Sequence, residues 1–313
     1  MKRRGAILAV ILLVTSLADA AYGWDDFGHM TVAYVCYQKL KPEVKARVNA
    51  LTRLNPMYHQ WEQQVSETSL QADKGAQIFM LAATWPDMIK GGHGYSADGL
   101  SNGNRPAGPE ASQNAGYSDL LMHKYWHYCD HPYTQDGSPL PAVPTPNAQT
   151  QIDQFREVLN SDASDSLKSY DLCWLLHLVG DIHQPLHCIT RVSKADPDGD
   201  NGGNNVRITG SDQELHAFWD NALGQELSPA KVPEIANHLK KSKKKLASKL
   251  DVNRWVQESF DLAIHKVYGR PIGPSDGPFT LTKKYEQMTQ KICRKRVELA
   301  GERLANVLNG ELK

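Results

Sequence analysis

The chain lacks a net charge: its 313 residues hold 35 Lys+Arg against 35 Asp+Glu, which excludes a broadly basic nucleic-acid coat and an acidic disordered tail. It has no apolar run approaching the roughly 20 residues of a membrane-spanning helix, so no membrane anchor is expected. It has no Cys-x-x-Cys pair, which argues against a cysteine zinc site, and no Asn-x-Ser/Thr acceptor, which favours bacterial export over a eukaryotic secretory route. Alternating β-branched runs are scarce too, with only Val206-Arg207-Ile208-Thr209 reading as a short strand, and no repeat period is visible. The 41% of hydrophobic residues suffices for a core, so disorder is excluded.

What is abundant is histidine and tryptophan, 12 and 7 residues, with His123, His127, His131, His177, His183, His187 and His216 crowded into one stretch. Ahead of them, Lys2, Arg3 and Arg4 precede the apolar run Ala6 to Leu17 and then small residues. This is a secretory signal pattern, so the protein is expected to be secreted or periplasmic. Cleavage is expected after Ala20 or after Gly23. The second cut leaves Trp24 as the new N-terminus and one domain over 24–313. Removing residues 1–23 takes away three basic residues and Asp19, leaving the chain near −2. In an oxidising compartment some of Cys36, Cys129, Cys173, Cys188 and Cys293 are expected to pair in disulfide bonds, with at least one left over.

Helical periodicity dominates the remainder. Residues 27–54 read as one helix with His29 on its apolar face, and 69–85 as another. Residues 91–118, rich in Gly, Asn, Ser and Pro, read as a long surface loop, and 132–147 as a connector. Residues 171–183 are almost solid apolar and read as a buried helix stopped by Pro185, while 212–266 and 279–308 alternate apolar and charged residues. The fold class is therefore all-α: one mainly helical domain with long loops and at most a short β-hairpin.

A carboxylate inside a solid apolar helix is costly unless paired. His177 and Asp181 stand at i, i+4 on one helix face, and the pattern recurs at His216 and Asp220 in LHAFWDNAL. His187 follows Gln184-Pro185, where the chain can turn back beside Asp181. Imidazole with carboxylate suits zinc, whereas calcium would want oxygen ligands throughout.

The segments HLVGDIHQPLH at 177–187, GGN at 202–204, LHAFWD at 215–220, TWPD at 84–87, WHYCD at 126–130 and WDDFGH at 24–29 resemble those of the zinc-dependent single-strand nucleases of fungi, plants and bacteria. That family shares a fold with the bacterial zinc phospholipases C. The resemblance implies three zinc ions. One would be held by Asp87, His127, His177 and Asp181; a second by the Trp24 amine and carbonyl, His29 and a bridging Asp181; a third by His187, His216 and Asp220. It places Asp87 and Asp181 in the catalytic cluster, where hydroxide between the Asp181-bridged ions would attack phosphorus. The implied reaction cuts single-stranded DNA and RNA to 5′-phosphorylated products and dephosphorylates 3′-nucleotides. By the same resemblance Tyr128 would stack on an unpaired base and Asp130 bind its edge, with Lys90 and Asn221 as further substrate contacts. No stable protein partner is implied.

Plainer readings accompany these. Asp87 after Pro86 can cap a turn, His127 can be a core histidine, Tyr128 can pack internally, and Trp174, Trp219 and Trp255 read as core. The resemblance gives His123, His131 and His183 no role, and His93 reads as solvated. Lys240, Lys241, Lys243, Lys244 and Lys245 read as a wet helix face that adds weak phosphate attraction. A zinc phospholipase C and a non-catalytic zinc-binding protein remain as alternatives. Asp220 (where the lipases tend to have Glu) and the Tyr128-x-Asp130 pair favour the nuclease.

Overall fold

A computed structural model describes residues 24–68, 74–98, 106, 109–210 and 214–312. The signal sequence expected over 1–23 lies outside the described residues. Eleven α-helices carry the described chain: α1 Asp26–Lys39, α2 Pro42–Thr52, α3 Tyr58–Thr68, α4 Lys74–Ile89, α5 Ala148–Leu159, α6 Asp165–Asp181, α7 Leu215–Asp220, α8 Val232–Ala236, α9 Lys244–Ala247, α10 Val252–Leu262 and α11 Lys283–Glu311. The all-α expectation holds. None of these helices is long and apolar enough to cross a membrane.

Local chemistry sets the boundaries. The Asp25 carboxylate accepts from the Gly28 N–H and opens α1, and Asn147 and Thr150 form a reciprocal cap that opens α5. The single helix expected over 27–54 is two, because Pro42 forces Lys41 into an extended conformation (ψ 152°) and then serves as the first residue of α2.

α6 is the centre of the molecule. It packs on α5, α4 and α2 and meets α1, which itself lies along α11. Every residue from Lys168 to Asp181 is buried, as expected of a helix that is apolar all round. Burying each of its large side chains contributes roughly 1.5–3 kcal/mol, which offsets the cost of carrying polar groups inward at its last turn. Trp174, Trp219 and Trp255 are 0% exposed, so all three are core.

Three expectations need correction. The sheet is a parallel pair, β1 His131–Thr134 with β2 Ile189–Val192, and not a hairpin; α5 and α6 supply the crossover that parallel strands require. Residues 206–209 form isolated bridges only, Arg207 to Glu214 and Ile208 to Phe279, because no adjacent strand extends them. The described part of 91–118 is a packed cover rather than a free surface loop. Asp98 and Ala111 are buried, Asn114 donates to Asp171 (2.7 Å), and Tyr117 bonds Ser169 (3.0 Å). The polar N-terminal half of α6 needs those partners, since burial pushes the Asp171 carboxyl up to about 8.

The expected disulfides do not form: all five cysteines are free and buried. Each thiol packs as a small apolar group. Even Cys129 and Cys188, which neighbour one another, direct their thiols at the carbonyls of His187 (3.6 Å) and Ile182 (3.4 Å).

Candidate metal centre

The histidines and carboxylates singled out in the sequence converge at the C-terminal end of α6. His29 comes from α1, Asp87 from the last turn of α4, and His177 and Asp181 from the last two turns of α6. His127 ends a 3-10 turn, Lys124–Trp126, and His187 lies in another, Pro185–Cys188. His216 and Asp220 come from α7. β2 follows directly on Pro185–Cys188 and β1 begins shortly after Lys124–Trp126, and the two segments are tied together where Cys129 N–H donates to His187 O at 2.9 Å.

Three groups of side chains each bring their ligand atoms within 4.8 Å of one another: Asp87, His127 and His177; His29, His177 and Asp181; and His187, His216 and Asp220. In the first, His127 Nδ1 is 2.9 Å from His177 Nε2, and Asp181 Oδ2 stands 3.3 and 3.2 Å from those nitrogens. Asp87 Oδ1 lies 3.6 and 3.5 Å from the same two. The other oxygen of Asp181, Oδ1, faces His29 Nε2 at 3.3 Å. In the third group His216 Nε2 is 3.1 Å from His187 Nε2 and 3.4 Å from Asp220 Oδ2. Ligands at about 2.0–2.1 Å around a tetrahedral zinc are separated by ~3.3 Å, so these spacings match a coordination shell.

Backbone carbonyls hold three of the rings. His177 Nδ1 donates to Ala83 O (2.8 Å), His187 Nδ1 to His127 O (2.7 Å) and His216 Nδ1 to Gly202 O (2.7 Å), leaving each Nε2 turned to the centre. Gly202 sits at φ +62°, and a Cβ there would meet Leu186 O at 2.5 Å, so glycine is required for this carbonyl to reach His216. Gly180 is needed for a different reason: its missing Cβ leaves room for the His29 ring, whose Nδ1 would be 2.9 Å from it. Trp24, fully buried, donates its indole N–H to Gly180 O at 2.9 Å and so rests against the same turn of α6.

Charge in the centre is unbalanced. Buried atoms with no hydrogen-bond partner include both ring nitrogens of His29, His127 Nε2, Asp87 Oδ2 and both carboxylate oxygens of Asp181. Such groups cost roughly 1–3 kcal/mol each when left unpaired, more if charged, unless a cation completes them. Burial depresses His29 to about 4 and His127 and His216 to about 3. Burial opposes ionisation of Asp87 and Asp181, yet Lys90 and His177 beside Asp87, and His177 and His187 beside Asp181, hold both below the usual carboxylate range. Burial also works against protonated His177, but Asp181 and Asp87 overcome it and push the ring up to about 10. Positive charge is therefore favoured here: Lys90 Nζ lies 2.5 Å from Asp87 Oδ1, and the two carboxylates favour a proton on His177. Asp220 has no Lys or Arg partner among the described residues, and burial raises its carboxyl well above the normal range.

The expected substrate contacts fare unevenly. Tyr128 is half-buried and packs against the core edge beside His127. Asp130 is half-exposed at φ +21°, and burial with repulsion from Asp200 pushes its carboxyl up to about 8. Lys90 is buried on Asp87 rather than open to solvent. Asn221 spends its amide internally, donating to Ala217 O (2.8 Å) and accepting from Gln225 (2.8 Å) at the C-terminal end of α7. Other histidines have structural duties. His123 lies between Asp98 (2.8 Å) and Asp119 (3.1 Å) and stacks on Trp126 at 3.6 Å; His183 donates to Val179 O (2.7 Å) and accepts from Arg303 (2.9 Å). His131 meets Gln149 at 3.4 Å, and His93 is exposed.

Sequence reasoning missed several participants. Gln184 donates to Asp220 Oδ1 at 2.7 Å, and its place in HQPLH was a usable signal. Asp25 and Asp26 sit against the centre, burial pushing them to about 7 and about 6 with Asp87 adding repulsion, and the doubled acid in WDDFGH was visible too. The supporting carbonyls of Ala83, His127 and Gly202 leave no side-chain signal at all.

Comparison with known proteins agrees with this arrangement. A family model described as S1/P1 Nuclease matches residues 24–313. Nuclease S1 of Aspergillus oryzae is 23% identical over 223 residues, covering 70% of this chain and 61% of that protein. The match thus spans less than two thirds of that relative's length. Endonuclease 3 of Arabidopsis thaliana is 25% identical over 323 aligned positions, covering 96% of this chain and 92% of the relative. With nearly the whole described chain matched, and its histidines and aspartates converging in three ligand-like groups, the protein belongs to the S1/P1 nuclease family.

Proposed function

We propose that this protein is an exported, zinc-dependent phosphodiesterase that hydrolyses single-stranded DNA and RNA to 5′-phosphorylated products and removes phosphate from 3′-nucleotides. The observation that carries the reading is Asp181: fully buried, it turns one oxygen to His29 and the other to His127 and His177, the posture of a carboxylate shared by two cations. Asp87, His127, His177 and Asp181 would hold one zinc ion, Trp24, His29 and Asp181 a second, and His187, His216 and Asp220 a third. Zinc, when bound, acts as a Lewis acid on phosphoryl oxygen and lowers the pKa of water from about 16 towards 7. A cut after Gly23 would free the Trp24 amine for coordination.

The chain's own groups do the remaining work. The three carbonyls fix the imidazole tautomers, so the ligand geometry is set before substrate arrives. Lys90 keeps Asp87 ionised and adds positive charge beside the phosphate position. Tyr128, at the protein edge, offers a ring for an unpaired base, a contact of about 1–3 kcal/mol that duplex substrates cannot make. Asp130, whose carboxyl burial and Asp200 push up to about 8, would bind the base edge.

The test is a substrate panel. Protein beginning at Trp24 should cleave single-stranded DNA and RNA, release phosphate from 3′-AMP, and lose all three activities with chelator. Turnover of phosphatidylcholine without cleavage of nucleic acid would overturn the reading in favour of a lipid phosphodiesterase.

A further inference from the structure

Lys240, Lys241, Lys243, Lys244, Lys245 and Lys249 form a stretch of ten residues with six lysines and no acid, in a chain whose total charge is zero. All six are exposed. None makes a side-chain hydrogen bond or ion pair among the described residues. The carboxylate that Lys241 influences, Glu298, is already engaged by Lys39 at 4.0 Å. Elsewhere exposed lysines find partners, as Lys74 does with Glu62 (2.8 Å) and Lys231 with Glu234 (3.2 Å). A merely solvated helix face would be expected to intersperse acids with its lysines.

The segment is also held in place. Ala247 is buried, and its carbonyl accepts from Asn306 of α11 (3.1 Å). Trp255 donates to Lys249 O (2.7 Å), Arg156 to Leu250 O (2.9 Å), and Leu239 and Leu250 pack on the core. The charges therefore stand on a pinned backbone, unlike those of a flexible basic tail, and binding an anion costs little ordering entropy.

α11 links this surface to the centre. Its Cys293 thiol meets Trp219 O, one residue before Asp220, and its Asn306 meets the lysine segment. Thirteen helical residues at 1.5 Å separate those two points by ~20 Å. A stacked strand covers that distance in about six nucleotides, within the roughly 4–16 usual for single-strand grooves.

We infer that the Lys240–Lys249 surface is an exosite for the phosphate backbone of single-stranded nucleic acid, engaging the strand beyond the segment being cut. The inference rests on the nuclease reading, and the test separates the two. The five-site variant K240S/K241S/K243S/K244S/K245S leaves every proposed metal and base ligand in place. Its kcat/KM on a thymidine 20-mer should fall at least about 10-fold at low salt, with a salt slope shallower by about 0.7 for each phosphate that the lysines no longer neutralise. Its kcat/KM on a thymidine dinucleotide should not change, and the matching five-site Lys→Arg variant should behave as wild type. Equal 20-mer kinetics and salt slopes for wild type and the Ser variant would overturn the exosite. Should wild type cleave neither substrate, the nuclease reading fails. The exosite is then judged by fluorescence anisotropy with a cleavage-resistant phosphorodithioate 20-mer, whose affinity must drop in the Ser variant. Lysine-dependent binding to phosphatidylglycerol vesicles with unchanged strand affinity would assign the surface to a membrane and overturn the proposal.

Discussion

Asp181→Asn is expected to lower kcat/KM on a single-stranded oligonucleotide by ~10³-fold or more, a loss of about 4 kcal/mol of transition-state stabilisation. The substitution keeps the shape of the side chain and removes one negative charge from a site with 0% exposure. Asn offers one acceptor oxygen where Asp181 turns two, towards His29 (3.3 Å) and towards His127 and His177 (3.3 and 3.2 Å). Its amide N–H must then face either the His29 nitrogen or the His127–His177 pair, so one of the two shared ions is lost. The fold should persist, because the near-isosteric side chain keeps the packing at the end of α6. Steady-state kinetics with parallel metal analysis checks this. Wild-type turnover at full zinc content would refute the bridging role.

The second large effect is on stability and its pH dependence. Removing metal should lower the melting temperature by roughly 10 °C at pH 8, since a single site saturated 1,000-fold above its Kd contributes about 4 kcal/mol. The gap should narrow as pH falls. In stripped protein His177, pushed up to about 10, and Asp220, raised well above the carboxylate range, both hold protons that entering cations must displace. Each displaced proton weakens binding by about 1.4 kcal/mol per pH unit on acidification. His29, at about 4, and His127 and His216, at about 3, add nothing to this slope above pH 5 because they are already neutral.

The stripped protein itself responds in two opposed ways. The three depressed histidines contribute stability that is whole above pH 6.5 and lost as pH falls towards 3–4. The raised carboxyls of Asp25 (about 7) and Asp26 (about 6) contribute stability present below pH 3.8 and lost as pH rises through those values. Thermal melts of loaded and chelated protein from pH 5.5 to 8 distinguish the outcomes. A gap that is absent, or that widens on acidification, contradicts proton displacement by entering metal.

Much of the centre was legible because its ligands lie in short contiguous patterns whose spacing is helical. His177 and Asp181 had to share a face of α6 once the run around them was apolar, and His216 and Asp220 repeat that logic on α7. The burial of α6 followed from the same run. Long-range features were not legible. The parallel pairing of β1 with β2 joins residues about sixty positions apart, and four-residue strands carry too little pattern to announce a partner. The cover formed by 109–119 depends on Asn114 and Tyr117 meeting α6 in space, which a Gly- and Ser-rich composition does not encode. The resemblance makes Lys90 a substrate contact, but three residues along a helix end from Asp87 it has a nearer anion. The cysteines mislead because an oxidising compartment would permit pairing without bringing thiols together in bonding geometry.

The most direct measurement is the metal content of protein beginning at Trp24, purified without added metal or chelator, by inductively coupled plasma mass spectrometry. Three zinc ions per chain is the expected result. Full phosphodiesterase activity at one zinc per chain or none would contradict a centre built from three ligand groups around Asp181.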